Sequence, residues 1–141
     1  VFGGGWLTDL SDEAIDVLVA DTLPVGGPPA LVFSEVRHAG GSISTVDEAG
    51  SAYGNRRAEF LLSALGVGPD PQTAGVVGAH LEAMMDSLAK VRAGGAYLNF
   101  LDGPARRLAT RRGVSDFDRL AAVKAKYDPA DLMSHGLDLT G

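Results

Sequence analysis

Ala30-Leu31-Val32-Phe33-Ser34-Glu35-Val36-Arg37-His38-Ala39-Gly40-Gly41-Ser42-Ile43-Ser44-Thr45-Val46 is the stretch whose reading decides the fold. Its first nine residues are rich in Val, Leu and Phe, side chains that suit a pleated, half-buried surface. Ala39-Gly40-Gly41 reads as a turn, and Ser42 to Val46 alternates polar and apolar residues as a returning strand does. A hairpin at this point predicts an antiparallel sheet. Beyond it, Asp47 to Arg57 carries charges, two glycines and Tyr53, and reads as a loop. Ala58 to Leu65 follows as a third strand, closed by the segment Gly66 to Pro71.

Helical periodicity brackets this sheet on both sides. Ser11 is a good N-cap with Asp12 and Glu13 behind it, and Ala14, Ile15, Leu18 and Val19 recur at helical spacing, which predicts a helix from about Asp12 to Thr22. Pro24 to Pro29 breaks it. From Gln72 to Arg92 the positions Val76, Val77, Leu81, Met84, Met85, Leu88 and Val91 keep a 3.6-residue period, ended by Gly94-Gly95. Ala96 to Phe100 reads as a further strand, and Gly103-Pro104 opens a short basic helix through Arg112. Ser115 caps a last helix with Phe117, Leu120, Val123 and Tyr127 as its apolar stripe, Lys124 and Lys126 near its C-terminal end, and Asp128-Pro129 as its stop.

The order is helix, three strands, long helix, strand, helices. That order predicts an α+β fold in which helices pack on one face of an antiparallel sheet, followed by a mostly helical C-terminal tail. Residues 1–95 are expected to form the sheet-based unit and residues 96–141 the appended tail. A chain of 141 residues, 45% of them hydrophobic, is long enough to close one ordinary core. Its net charge of −6 disfavours nucleic acid and anionic membrane surfaces as partners. There are no cysteines, so a disulfide, a thiolate metal site and a cysteinyl link to a cofactor are excluded within the chain. No apolar run approaches the roughly 20 residues that span a bilayer. The opening on Val1 reads as a piece of something longer, and the cytoplasm is the expected compartment.

Ala96-Tyr97-Leu98-Asn99-Phe100, followed about twenty residues later by Arg119-Leu120-Ala121-Ala122-Val123-Lys124-Ala125-Lys126-Tyr127-Asp128-Pro129, resembles the C-terminal signature of the berberine-bridge-type FAD-linked oxidoreductases of the vanillyl-alcohol-oxidase superfamily. Glu35-Val36-Arg37-His38-Ala39-Gly40-Gly41 and Tyr53-Gly54-Asn55-Arg56-Arg57-Ala58-Glu59-Phe60 resemble the hairpin and following strand of the same family's substrate domain. The resemblance spans Ala30 to Leu137. It implies part of an antiparallel substrate-binding domain and a berberine-like tail, with the flavin's diphosphate held by an N-terminal domain outside this chain. FAD would then be shared with that domain and held weakly by this chain alone. Gly3-Gly4-Gly5 shows no flanking strand and helix of the kind a phosphate loop needs.

On a strand, Tyr97 and Asn99 share one face while Leu98 and Phe100 take the other. The resemblance implies that the polar face meets the flavin, with Asn99 binding the cofactor and Tyr97 acting as the catalytic base toward a substrate hydroxyl. A half-buried strand tyrosine with a solvated hydroxyl accounts for Tyr97 as well. Arg37 and His38, at the end of the first strand, are candidate substrate contacts, and a solvated strand end explains them equally. Asn55 stands where many relatives carry His, which leaves Arg56 or Arg57 as polar contacts of that loop.

His80 and His135 read as surface residues, Met84 and Met85 as core, and the cluster Arg106, Arg107, Arg111 and Arg112 as either a partner contact or a solvated helix face. Three scattered His predict no metal site, and the absence of Gly-x-Ser-x-Gly argues against a hydrolase. The expected function is the substrate side of an FAD-dependent oxidoreductase acting on an alcohol, sugar or secondary-metabolite substrate. The competing reading is a stand-alone binding module in which a second copy covers the sheet face, giving a homodimer.

Overall fold

The computed structural model describes residues 1–23, 29–100 and 113–134, with Leu137 and Leu139. Phe2-Gly3-Gly4-Gly5-Trp6-Leu7, to which the sequence reading assigned no element, is strand β1 (Phe2–Leu7). It is followed by α1 (Asp12–Thr22), β2 (Phe33–His38), a short helix α2 (Ser42–Thr45), β3 (Phe60–Leu65), α3 (Pro71–Ser87), β4 (Arg92–Gly94) and α4 (Phe117–Tyr127). Single 3-10 turns lie at Glu48–Gly50 and Leu98–Phe100. The four strands form an antiparallel sheet in the order β2-β3-β1-β4, and the fold is α+β.

The strand registers sort the side chains into two faces. Phe2 pairs with Leu65, Trp6 with Leu61 and Leu7 with Phe60, while Phe33 pairs with Leu65 and Arg37 with Leu61. With alternation along each strand, Gly3, Gly5, Leu7, Phe60, Leu62, Ala64 and Val36 face one side. There they meet Ala14 and Leu18 of α1 and Val77, Leu81, Met84 and Met85 of α3 in the main core. Both helices therefore cover the same face.

Glycine in β1 is what lets α3 lie so close. A Cβ on Gly3 would sit 3.1 Å from Leu81 Cδ1, and one on Gly5 would sit 2.9 Å from Met85 Cε. Gly4 is tighter still, at φ +145°, where a Cβ would run into the backbone carbonyl of Leu62 on the neighbouring strand. β3 supplies the apolar middle of the sheet, with Leu61, Leu62, Ser63 and Ala64 all buried.

Capping follows simple chemistry. Ser11 accepts from the Ala14 N–H, Asp70 from the Thr73 N–H and Asp116 from the Arg119 N–H, each closing an orphan donor of a first turn. The cap of α4 is thus Asp116, one residue beyond the expected Ser115, whose hydroxyl instead donates to the Ser51 carbonyl. Asp128 ends α4: its carboxylate accepts from the N–H groups of Leu132 (2.8 Å) and Met133 (3.0 Å) and pairs with Lys124. The tail is tied to the body by a bridge between Tyr53 and Val114 and by Arg119, which donates to the Ala49 carbonyl.

Three expectations are corrected. Ser42 to Thr45 is a helical turn, not a strand, because Ser44 and Thr45 turn their hydroxyls back on the carbonyls of Gly41 and Ser42. β2 therefore pairs with β3, and no hairpin forms. Ala96 to Phe100 is not a strand either: Phe100 N–H bonds the Tyr97 carbonyl in a 3-10 turn, after Gly94 and Gly95 at φ +73° and +70° have redirected the chain. The long helix stops at Ser87, with Arg92 already in β4. The Met84 and Met85 reading holds, since both are buried, and His80 is half-buried with Nε2 3.1 Å from the Asp21 carbonyl. The expected basic helix at 103–112 and His135 lie outside the described residues. Among the described residues no helix is long and apolar enough to cross a membrane.

Two measurements probe these devices. Gly4→Ala should cost about 2 kcal/mol or more in denaturant unfolding, because it adds positive-φ strain to a backbone collision. Gly78→Ala, in a helix interior with open space around it, should stabilise by about 0.5–1 kcal/mol. The Lys124 ammonium and the two backbone donors hold the Asp128 carboxyl at about 2, against an ordinary 3.8. Its stabilisation is then complete above the ordinary value and disappears as pH falls through about 2. Acid titration should release the amides of Leu132 and Met133 to hydrogen exchange in that window, and Asp128→Asn should remove the pH dependence.

Candidate functional site

The opposite face of the sheet carries no helix among the described residues and is dressed with aromatic rings. β1 alternation places Trp6 there, 1% exposed, beside Leu61, Ala39 and Ala58. Tyr53, from the loop after α2, and Tyr97 and Phe100, from the turn after β4, close over it. Trp6 meets Tyr53 and Tyr97 edge-on at centroid distances of 6.2 and 5.7 Å, and Tyr97 meets Phe100 at 5.0 Å. Phe2 stacks on Phe100 at 6.2 Å and meets Phe33 edge-on, extending the apolar surface toward the other end of the strands. Such edge-to-face pairs add about 0.5–1.5 kcal/mol each to the area they bury.

Two guanidinium groups sit on this aromatic surface. Arg37 lies 5.1 Å from the Phe100 ring centre and is held by a two-point contact with Glu35 at 2.6 and 3.0 Å. That hydrogen bond is also what lowers the Glu35 carboxyl and raises the Arg37 guanidinium from their ordinary values. Arg56 lies 4.8 Å over Tyr53 and donates to the Ile43 carbonyl and the Ser51 hydroxyl. Burial raises the Tyr53 phenol above its ordinary range, the nearby Tyr97 adds to the rise, and Arg56 opposes it. Tyr53 is therefore a neutral packing element.

Asn99 is exposed, and its amide donates to the Tyr97 hydroxyl at 3.0 Å. The bond occupies one lone pair of the phenol oxygen. Behind the pair, Gly95 lies against the Asn55 side chain so closely that a Cβ would strike its amide, and Asn55 itself sits at φ +64°. Glycine at 95 and Asn at 55, a residue that tolerates the left-handed region, together set where the Tyr97 turn begins.

Of the residues singled out in the sequence, Tyr97, Asn99, Arg37 and Arg56 belong to this one face. His38 does not. It pairs with Phe60 in register and its ring lies 5.4 Å from the Phe60 ring, on the helix-covered side, because adjacent strand residues point opposite ways. Arg57 is exposed. Trp6, Phe2 and Tyr53 were missed as site elements; the period-two spacing of Phe2 and Trp6 across the glycines was the available signal. Trp6 Nε1 and Arg56 Nε are buried without hydrogen-bond partners. No cluster of three potential metal ligands occurs among the described residues. Compared with known protein families and with curated proteins, the chain matches none.

The face brings aromatic rings, an amide, a phenol and a cation together within one patch. Trp6, the only tryptophan, reports on it. Tyr97→Ala should uncover the indole, red-shifting its emission and admitting iodide, and should cost about 2–3 kcal/mol. Tyr97→Phe keeps the packing and should cost about 1 kcal/mol at most, with emission unchanged.

Proposed function

We propose that this chain is the substrate-side part of an FAD-dependent oxidoreductase acting on an alcohol, sugar or secondary-metabolite substrate, with the flavin shared with an FAD-binding domain carried elsewhere. The observation that carries the proposal is the hydrogen-bonded Tyr97 and Asn99 pair on an aromatic surface beside Arg37. The berberine-bridge-type resemblance of Ala96 to Phe100 and Arg119 to Pro129 supports it. The cytoplasm is the compartment that goes with this reading.

The residues present fit the ring of a flavin and not its diphosphate. Asn99 and Tyr97 offer polar atoms at the rim of an apolar patch. Gly3-Gly4-Gly5, by contrast, is locked in β1 between β3 and the side chains of α3, so no glycine loop is free there to cradle phosphate. The diphosphate contacts must come from the other domain. A bound flavin, its ring held at the rim by Asn99 and Tyr97, would supply the hydride acceptor. Tyr97 Oη, acting as phenolate with its own proton already passed to solvent, takes the substrate hydroxyl proton, a transfer worth about 10²–10⁴-fold in rate. Asn99 holds the phenol in position from its own exposed side, and Arg37, exposed and backed by Glu35, contacts substrate oxygen. Arg56 orders the Tyr53 loop, and His38 takes no part.

Mixing the chain with an upstream FAD-binding domain should give a yellow complex whose flavin is bleached by substrate. Tyr97→Phe should lower kcat by about 10²-fold or more with KM within a few-fold, and Asn99→Ala should weaken flavin retention. A folded complex whose flavin absorbance ignores every alcohol and sugar offered would overturn the assignment.

A further inference from the structure

We infer that the outer edge of β2 is an interface at which two copies of this chain pair antiparallel about a dyad through Val36, joining their sheets and leaving the aromatic face open. Among the described residues β2 is the last strand of the sheet on its side. Ala39 donates its N–H to the Glu59 carbonyl at 2.6 Å. In the β2 and β3 register this makes Phe33, Glu35 and Arg37 the residues whose backbone groups face β3. Ser34, Val36 and His38 consequently present theirs to the free edge, where an incoming strand can take them up.

Side-chain charge then selects the register. With the dyad at Val36, Val36 faces Val36 and Ser34 faces His38 across hydrogen-bonded pairs. Glu35 of each copy then stands directly opposite Arg37 of the other on the sheet face. Moving the dyad to Glu35 sets two carboxylates against each other, and moving it to Arg37 sets two guanidinium groups together, both unfavourable. The Glu35 and Arg37 pair already formed within each copy becomes a four-membered network at the seam.

A second, separate observation places apolar surface beside the same edge. Glu13 binds Lys90, and the Asp21 carbonyl meets His80, which marks the side of α1 toward α3. Ala14 and Leu18 face the core. At about 100° per residue, Ile15 and Val19 fall on the side away from α3. They are 40% and 54% exposed, and Leu23, one turn further on, is 70% exposed. Thr22 bonds Ser34 of β2 at 2.6 Å, so this stripe runs along the edge strand. It is where α1 of a second copy arrives once the edges pair.

The inference shares Arg37 with the redox reading but uses neither Tyr97 nor Asn99, and self-association is measured on the chain alone, so either reading can fail without the other. Light scattering and sedimentation at about 100 µM chain should give a mass near twice 14.5 kDa. Glu35→Arg should weaken self-association by about tenfold or more, and the swapped pair Glu35→Arg with Arg37→Glu should restore it to within about threefold. Val19→Lys, at an exposed position, should weaken it without disturbing the fold. A monomer at that concentration overturns the inference, and so does a dimer indifferent to Glu35→Arg or unrescued by the swap.

Discussion

Everything else in this molecule depends on the contact between Gly3 and Gly5 of β1 and the side chains of α3. Leu81 and Met85 descend to the strand backbone at Gly3 and Gly5, and Gly4 allows β3 to press against the other side. The price of glycine in a strand is conformational entropy and a missing side chain. Here the gain is a helix seated nearly on the sheet backbone, which is how so short a chain buries Leu7, Leu62, Met84 and Leu88 almost completely.

The same strand explains the asymmetry of the sheet. Alternation leaves Phe2, Gly4 and Trp6 on the face away from the helices, so among the described residues the large rings at either end of the glycine run have no helix to pack on. They are covered by irregular chain, the Tyr53 loop and the Tyr97 turn, and both segments bring a polar neighbour with them. Arg56 comes with Tyr53, and Asn99 with Tyr97. Together the two segments leave Trp6 only 1% exposed. In the tail, the apolar stripe of α4 ends in Tyr127, and Leu132 and Met133 follow it, all three at 75% exposure or more.

Helices were legible in the sequence because their signals are local: a cap, a period and a stop. α1 has the bounds that Ser11 and Pro24 predict, and α4 ends at Asp128 as its Asp-Pro pair requires. The strand β2 was legible from its Val, Leu and Phe content, and β3 as the apolar run between the charged loop and Gly66. What failed was any reading that needed partners from elsewhere in the chain. β1 is a strand because β3 and β4 flank it, although its own residues have poor strand propensity. Ser42 to Val46 has the right alternation for a strand, but its hydroxyls bond their own backbone and fold it into a turn. The inward and outward halves of α1 were also merged, because an amphipathic stripe does not reveal how wide the buried sector is.

Tyr97 and Asn99 come together despite the error in local structure, for an instructive reason. Tyr97 and Asn99 were grouped because strand residues two apart share a face, yet the segment is a 3-10 turn in which that rule has no force. They still converge, because the turn folds the Asn99 amide onto the Tyr97 phenol and the ring is anchored edge-on against Trp6. Arg37 joins them from β2 across the sheet by stacking on Phe100. His38 shows the converse: a sequence neighbour of Arg37, it is carried to the other face by the pleat. Proximity at this site is therefore made by long-range aromatic packing, and the sequence shows the ingredients of that packing without showing which rings will meet.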